Sequence, residues 1–200
     1  IGWCDWSSDV CSSDLFHYGL GGGENFTASH SQSFKGGWKP MDEHGMQLLG
    51  LAGEIQARVR ELCAGLGDGP LAIPLAAATD ARILRDFDPL PAYVESLGRL
   101  MDPAGFGAIR AALHDGLKVA ICTEGGSMGA AARRIFDLLG FPMDARGITF
   151  LFEPESEDYH GIGQLDGANH GVDPGKWQIY KHVGAQDLLG RGAADIVFIW

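Results

Sequence analysis

The chain has 200 residues and a mass of 21.3 kDa, with 46% hydrophobic and 20% charged residues, which is typical of a globular protein and excludes a disordered one. The net charge of −11 argues against a nucleic-acid partner, because phosphate binding needs a clustered positive surface. Its longest apolar runs fall far short of the ~20 residues that span a bilayer, so we expect no membrane span.

The first fifteen residues do not resemble the rest of the chain. Residues 5–15 have the sequence DWSSDVCSSDL, which is similar to the in-frame translation of a common short-read sequencing adapter. We therefore interpret residues 1–15 as a non-native leader and exclude them from the prediction of the fold. A real flexible tail is the alternative. Without this leader the 26 acidic residues become 23, the net charge becomes −8, and only Cys63 and Cys122 remain.

Residues 16–45 are rich in glycine and serine and have neither a helical nor a strand period. We predict a loop region there, with room for a short hairpin. From residue 46 onward we predict a single α/β domain that is incomplete at its carboxyl end. It starts with an amphipathic helix over Met46–Leu66, whose apolar residues recur at helical spacing.

Strands and helices alternate in the remainder of the chain. The predicted strands are Leu71–Ala77, Lys118–Cys122, Ile148–Phe152 and Asp195–Trp200, and the predicted helices are Ala92–Leu100, Phe106–His114, Met128–Leu139 and Trp177–Leu189. Strands that are apolar on both faces and alternate with helices predict a parallel sheet with helices on both faces, in a Rossmann-like arrangement. Ligands of such sheets bind at the carboxyl ends of the strands.

The segment Thr123-Glu124-Gly125-Gly126-Ser127 follows one of these strands and leads into a helix. A hydroxyl group, free backbone N–H groups and the positive end of a helix are suited to an anion, and two glycines let the backbone approach a phosphate. We therefore take Thr123, Gly125, Gly126 and Ser127 as candidate phosphate-binding residues. An ordinary turn with Ser127 as the helix N-cap is the alternative.

Two segments of residues 100–200 have features in common with a known family: an apolar strand that ends in Thr123, and Gly175-Lys176 at the start of a predicted helix. With these segments residues 100–200 resemble the haloacid dehalogenase (HAD)-like hydrolases, whose second motif is similar to the first segment and whose third motif is similar to the second. The resemblance implies that Lys176 and Thr123 stabilise charge on a phosphoryl group. It also implies that acidic residues following the last strand hold Mg²⁺, so we expect such residues shortly after Trp200.

The first motif of the family is an Asp-x-Asp at the end of a strand, and Asp86-Phe87-Asp88 is the match that the chain offers. The resemblance implies that Asp86 attacks phosphorus to form an aspartyl-phosphate and that Asp88 is the general acid–base. Leu90 stands where the family has Thr or Val. A solvated acidic turn before Pro89, with the nucleophile upstream of the present sequence, is the alternative.

A second cluster of chemically active residues lies between the last two strands. His160, Asp166, His170 and Asp173 fall within a glycine-rich loop, and imidazole and carboxylate groups are ligands for Zn²⁺ or Mn²⁺. The spacing of these residues matches no established metal motif. A polar surface loop is the alternative.

The sequence thus favours a cytoplasmic phosphatase or related phosphoryl-transfer hydrolase that acts on a small phosphorylated metabolite. A metal-dependent hydrolase or isomerase that uses His160, Asp166, His170 and Asp173 is the first alternative, and a non-catalytic domain or inactive gene fragment is the second. The cytoplasm is expected because two cysteines do not make a disulfide framework. The sequence does not indicate the oligomeric state.

Overall fold

A three-stranded parallel sheet forms the centre of the molecule in this computed structural model, which describes residues 15, 17–27, 36–64, 76–84, 87–143 and 147–200. Its strands are β3 (Val119–Cys122), β4 (Ile148–Leu151) and β7 (Ile196–Ile199), and β3 lies between the other two. The registers place Cys122 beside both Leu151 and Ile199, so the three carboxyl ends meet at one edge. The predicted parallel α/β class is confirmed.

The described residues also form helices and minor strands. The helices are α1 (Ala52–Ala64), α2 (Leu90–Leu100), α3 (Pro103–His114), α4 (Met128–Leu138), α5 (Trp177–Val183) and α6 (Ala185–Gly190). The minor strands are β1 (Gly23–Asn25), β2 (Lys39–Met41), β5 (Gln164–Leu165) and β6 (Ala168–Asn169). β1 pairs antiparallel with β2, and β5 with β6.

Neighbouring residues of β3 point to opposite faces of the sheet and build separate cores. Ile121 packs with Leu113 of α3 and Ile148 of β4, and Phe136 of α4 covers the same cluster. Cys122 points to the other face, where it packs with residues of α5 and the preceding loop: Ile162, Val172, Ile179 and Val183. Both faces of β3 are therefore covered, which explains why its sequence is apolar without alternation.

Local chemistry sets the helix boundaries near the site. Asp102 caps α3, because its side chain accepts a hydrogen bond from the backbone N–H of Ala104, and Pro103 occupies the first helical position. The predicted helix Trp177–Leu189 is two helices, since Gly184 adopts a left-handed conformation with φ of 73° between α5 and α6. A left-handed residue is a standard helix terminator, so the prediction of one continuous helix was wrong.

The amino-terminal part differs from the prediction in its packing. The expected hairpin is present as β1 and β2, but α1 buries none of its residues, despite its amphipathic pattern. The predicted helix starts as a 3-10 turn at Leu49–Leu51 and becomes α-helical only from Ala52. Most of the predicted strand Leu71–Ala77 lies outside the described residues, and Ala76 and Ala77 are not in a strand. Within the described ranges no helix has the length and apolar character needed to cross a membrane.

Candidate active site

The loop that follows β3 buries two polar residues at the carboxyl edge of the sheet. Thr123 is 2% exposed and Glu124 is 6% exposed. The hydroxyl of Thr123 donates to the carbonyl oxygen of Phe152 over a long 3.4 Å. Because carboxyl ends of parallel strands form the usual ligand-binding edge, these two side chains lie where a substrate would bind.

Glu124 has an unusual electrostatic environment. Its Oε1 atom is buried and has no hydrogen-bond partner among the described residues. Burial, and secondly the negative charge of Asp173, raise the pKa of Glu124 to about 7. A carboxyl group with that pKa exchanges its proton near neutral pH, which is the property of a general acid–base group.

The backbone of this loop is held in an uncommon conformation. Glu124 has φ of 55° and Gly125 has φ of 71°, both in the left-handed region. A β-carbon at Gly125 would lie 2.7 Å from Cδ2 of His160, so the imidazole packs directly against this glycine. Glycine is needed at position 125 for both reasons. Left-handed non-glycine residues are often found at functional sites, and Phe152, Tyr159 and His160 share this conformation nearby.

The two predicted phosphate-binding glycines use their N–H groups within the loop itself. Gly125 donates to the carbonyl oxygen of Phe152 at 2.7 Å, and Gly126 donates to that of Thr123 at 2.9 Å. Ser127 is exposed at the N-cap position of α4 and makes no side-chain capping hydrogen bond. The amides of Gly125 and Gly126 are therefore engaged within the loop, and the positive end of α4 is the feature of this segment that suits an anion.

Lys176 occupies the N-cap position of α5, as the resemblance required of a lysine at a helix start. Its ammonium group donates to the carbonyl oxygen of His170 at 2.6 Å. Its backbone N–H donates to the carbonyl oxygen of Asp173. The same loop carries Val172, which packs in one core cluster with Cys122 at the end of β3, so the loop lies near the carboxyl end of that strand.

The Asp-x-Asp sequence is not at the end of a described strand. Asp86 lies outside the described residues, and residues 87–89 precede α2 in an irregular segment. Asp88 forms an ion pair with Arg134 of α4, and its Oδ1 atom accepts a hydrogen bond from the N–H of Leu90 at 3.3 Å. In this position Asp88 links α2 to α4.

We expect Asp88→Asn to lower the free energy of unfolding by less than about 1 kcal/mol, because exposed ion pairs contribute little. Urea unfolding of the variant and of Arg134→Gln measures this effect. A decrease of several kcal/mol in the free energy of unfolding would contradict the interpretation that Asp88 and Arg134 form an exposed ion pair of small energetic value. A loss of phosphoryl transfer at unchanged stability would instead support the general acid–base role that the resemblance implies.

The four residues of the alternative metal site have separate partners. The imidazole of His160 contacts the carbonyl oxygen of Pro154 at 2.6 Å, and Asp166 lies 3.5 Å from the ammonium group of Lys181. The backbone of His170 bonds to Gly163, and Asp173 accepts a hydrogen bond from the N–H of Gly175. In the part of the chain that the structure describes, no three His, Cys, Asp or Glu side chains are grouped to hold a metal ion.

Glu124 is the residue that reasoning from the sequence missed, since the motif contains it only as the residue between Thr123 and Gly125. The sequence did contain a signal for its burial: Glu124 is a charged residue directly between an apolar strand and two glycines. Charged residues are rarely buried, so one at the end of a buried strand is a candidate functional residue.

Comparison with known proteins supports the fold. A crystal structure of a protein assigned as a phosphomannomutase, from Thermus thermophilus, is similar with a TM-score of 0.60 and 17% sequence identity. The similarity covers 89% of this chain and 34% of that chain, so the present sequence spans about a third of the length of that protein. No protein-family model and no curated protein matches the sequence. At this identity the similarity establishes a shared α/β fold.

Proposed function

We propose that the chain belongs to a phosphoryl-transfer enzyme that acts on a small phosphorylated sugar. The observation that carries the proposal is the burial of Thr123 and Glu124 at the carboxyl end of the central parallel strand. The structural neighbour is named for moving a phosphoryl group on mannose, which supports this class of substrate. In the described part of the chain Cys63 and Cys122 are free thiols, which is compatible with the reducing cytoplasm that we propose as its location.

Each of the polar groups at this edge has a role in the proposed reaction. The long hydrogen bond of Thr123 is easily exchanged for one to a phosphoryl oxygen. The first turn of α4 and the ammonium group of Lys176 stabilise the negative charge that the phosphoryl group carries. These groups position and neutralise the phosphoryl group, which is most of what catalysis of its transfer requires.

The resemblance adds a covalent step to this proposal. A carboxylate, with Asp86 as the candidate, attacks phosphorus while the bond to the sugar oxygen breaks, and the leaving oxygen takes a proton from a general acid. Water or a second sugar hydroxyl then attacks phosphorus in the aspartyl-phosphate and loses its proton to the general acid–base group of the first step. The bond between phosphorus and the carboxylate oxygen breaks, which restores the carboxylate.

Magnesium is the cofactor that the resemblance implies. Glu124 offers a buried carboxylate oxygen without a partner among the described residues, which fits a hard cation, since Mg²⁺ prefers oxygen ligands and is commonly held by one or two carboxylates together with substrate phosphate. A bound Mg²⁺ would neutralise part of the negative charge on the phosphoryl oxygens. Thr123 and Lys176 would act on the same phosphoryl group.

Activity of the purified chain on mannose 1-phosphate and mannose 6-phosphate tests the proposal, with phosphorus NMR to follow either release of phosphate or movement of the phosphoryl group. We expect Thr123→Ala and Lys176→Ala each to lower kcat/KM by about tenfold or more. Lys181→Ala is the matched control, because Lys181 is an exposed lysine of α5 that pairs with Asp166. Equal activity in all variants, or none in the parent, would contradict the proposal.

The chemical nature of the phosphoenzyme tests the covalent step separately. An aspartyl-phosphate is cleaved by hydroxylamine, whereas a phosphate ester of a hydroxyl side chain resists it. We expect a labelled chain to lose its phosphate in hydroxylamine and Asp86→Asn to take up no label. A resistant label would place the phosphoryl group on a hydroxyl and overturn the role of Asp86 while leaving phosphoryl transfer in place.

A further inference from the structure

A groove lies between β2 and α1, in the amino-terminal part of the molecule. Its volume is about 360 Å³, and the described residues that line it fall between residues 38 and 60, so none of them belongs to the candidate active site. Pockets for small molecules have volumes from about 300 Å³ upward and are mostly apolar, with a few polar groups that orient the ligand. The groove therefore has the size of a site for a small ligand.

One wall of the groove is an apolar strip on α1. Ala52, Ile55 and Val59 line the groove and are three and four residues apart, so they lie on one face of the helix. Seven residues of helix rise about 10 Å, which is the length of the strip. The remaining apolar lining comes from around β2 and from the residues that precede α1: Trp38, Pro40, Leu48 and Leu49. An extended apolar ligand fits such a strip better than a compact one.

The apolar side chains of the groove are open to solvent. α1 buries none of its residues, and Leu49 and Val59 are 74% and 45% exposed. Exposed apolar side chains that lie together, with polar residues around them, often mark a binding site. A ligand with an apolar body would remove this surface from water, which favours binding.

The charged groups of the groove favour a ligand of negative charge. Among the described lining residues the ionisable ones are Lys39 and Arg60, both cations, in a chain whose net charge is −11. Neither forms an ion pair with a residue that the structure describes, whereas the neighbouring Arg58 pairs with Glu61. Arg60 directly follows the last residue of the apolar strip. An anionic group at one end of an apolar chain would therefore meet a cation where the strip ends.

We propose that the groove between β2 and α1 binds a medium-chain aliphatic carboxylate, with its chain along the apolar strip and its carboxylate at Arg60 and Lys39. A guanidinium group can donate two hydrogen bonds to one carboxylate, which fixes the head of the ligand. The small volume favours such a ligand over a second protein chain, whose stable interfaces bury on the order of 1,000 Å² or more. The site is independent of the phosphoryl transfer proposed above, since it uses other residues and another ligand.

Isothermal titration of the full chain with hexanoate, octanoate and decanoate tests the site. We expect the dissociation constant to fall about fourfold for each added methylene group that the groove buries, which is the usual effect of removing one such group from water. Octanol has the same chain as octanoate without the charge and should bind more weakly. Octyltrimethylammonium has the opposite charge and should not bind measurably.

Variants at exposed positions of α1 locate the ligand without disturbing the core. Val59→Asp should weaken octanoate binding by about tenfold or more, because it places a carboxylate in the apolar strip. Leu62→Asp is the matched control, since Leu62 is also exposed on α1 but is not in the described lining of the groove. Arg60→Gln should weaken binding by up to about fivefold, whereas Arg58→Gln removes an arginine that is paired with Glu61 and should leave binding unchanged. Circular dichroism establishes that each variant is folded.

Several results would overturn the proposal. These are no binding of any of the three carboxylates, an affinity that does not change with chain length, equal binding of octanoate and octyltrimethylammonium, or equal binding by Val59→Asp and Leu62→Asp. Self-association of the parent in analytical ultracentrifugation that Val59→Asp abolishes, without octanoate binding, would also overturn it, because the occupant would then be a second copy of the chain. Each of these results leaves the phosphoryl-transfer assay to be judged separately.

Discussion

Glu124→Gln is expected to stabilise the folded chain above neutral pH and to have little effect below pH 4.5. Burial, with Asp173 as the second cause, raises the pKa of Glu124 from 4.5 to about 7. The folded state therefore keeps a proton that the unfolded chain releases. The contribution of the protonated Glu124 to stability is fully present below pH 4.5 and is lost as the pH rises through about 7. The total loss is roughly 3 kcal/mol, on the scale of about 1.36 kcal/mol for each pH unit.

Urea unfolding of the parent, Glu124→Gln and the control Glu155→Gln at pH 4.5, 6 and 8, without divalent cations, measures this loss. The parent and the control should lose stability together, whereas Glu124→Gln should lose much less. Added Mg²⁺ at pH 8 should restore stability to the parent and not to Glu124→Gln, if the cation binds as proposed. Identical pH dependence in the parent and Glu124→Gln would show that Glu124 is not held as a buried acid.

Gly129→Ala is expected to destabilise the protein by about 3 kcal/mol, because position 129 has no space for a side chain. A β-carbon there would lie 2.4 Å from the backbone oxygen of Glu153, which cannot move as a flexible side chain can. Gly129 is the second residue of α4, and Glu153 follows β4. The added methyl group would force the helix away from the sheet, and such overpacking typically costs about 1–3 kcal/mol and sometimes more.

Gly107→Ala is the matched control, since Gly107 lies inside α3 and a β-carbon there meets no atom within 4 Å. This variant should be more stable by about 0.5 to 1 kcal/mol, which is the usual gain of alanine over glycine in a helix. Thermal and urea unfolding of the two variants compare them directly. Similar effects at both positions would mean that α4 does not contact the loop after β4 as closely as the structure places it.

The parallel sheet could be predicted from the sequence because β3, β4 and β7 are short apolar segments separated by amphipathic ones. Burial on both faces makes such strands apolar throughout, and that signal does not depend on which strands are neighbours. The starts and ends of α2 and α4 also followed from local signals within two residues. The break at Gly184 was missed because a glycine inside an otherwise helical pattern is often tolerated.

The candidate site was predicted in part. The sequence indicated that Thr123 and the following loop lie at a strand end, and the structure places them there. It did not indicate that the amides of Gly125 and Gly126 bond within the loop, since that depends on where Phe152 lies. The resemblance suggested Asp88 as an acid–base group, but its pairing with Arg134 of α4 is a contact between residues 46 positions apart.

The composition excluded a disordered chain, and the order of apolar segments by itself determined the α/β class and the strand that carries Thr123. Only the tertiary structure decided that Glu124 is buried without a partner for its Oε1 atom among the described residues, and that the charge of Asp173 acts on it. The periodicity of apolar residues predicts which face of its own helix or strand each residue occupies. The environment of a carboxyl group depends on segments that meet across the sheet edge, and the sequence spacing of Glu124 and Asp173 does not encode that meeting.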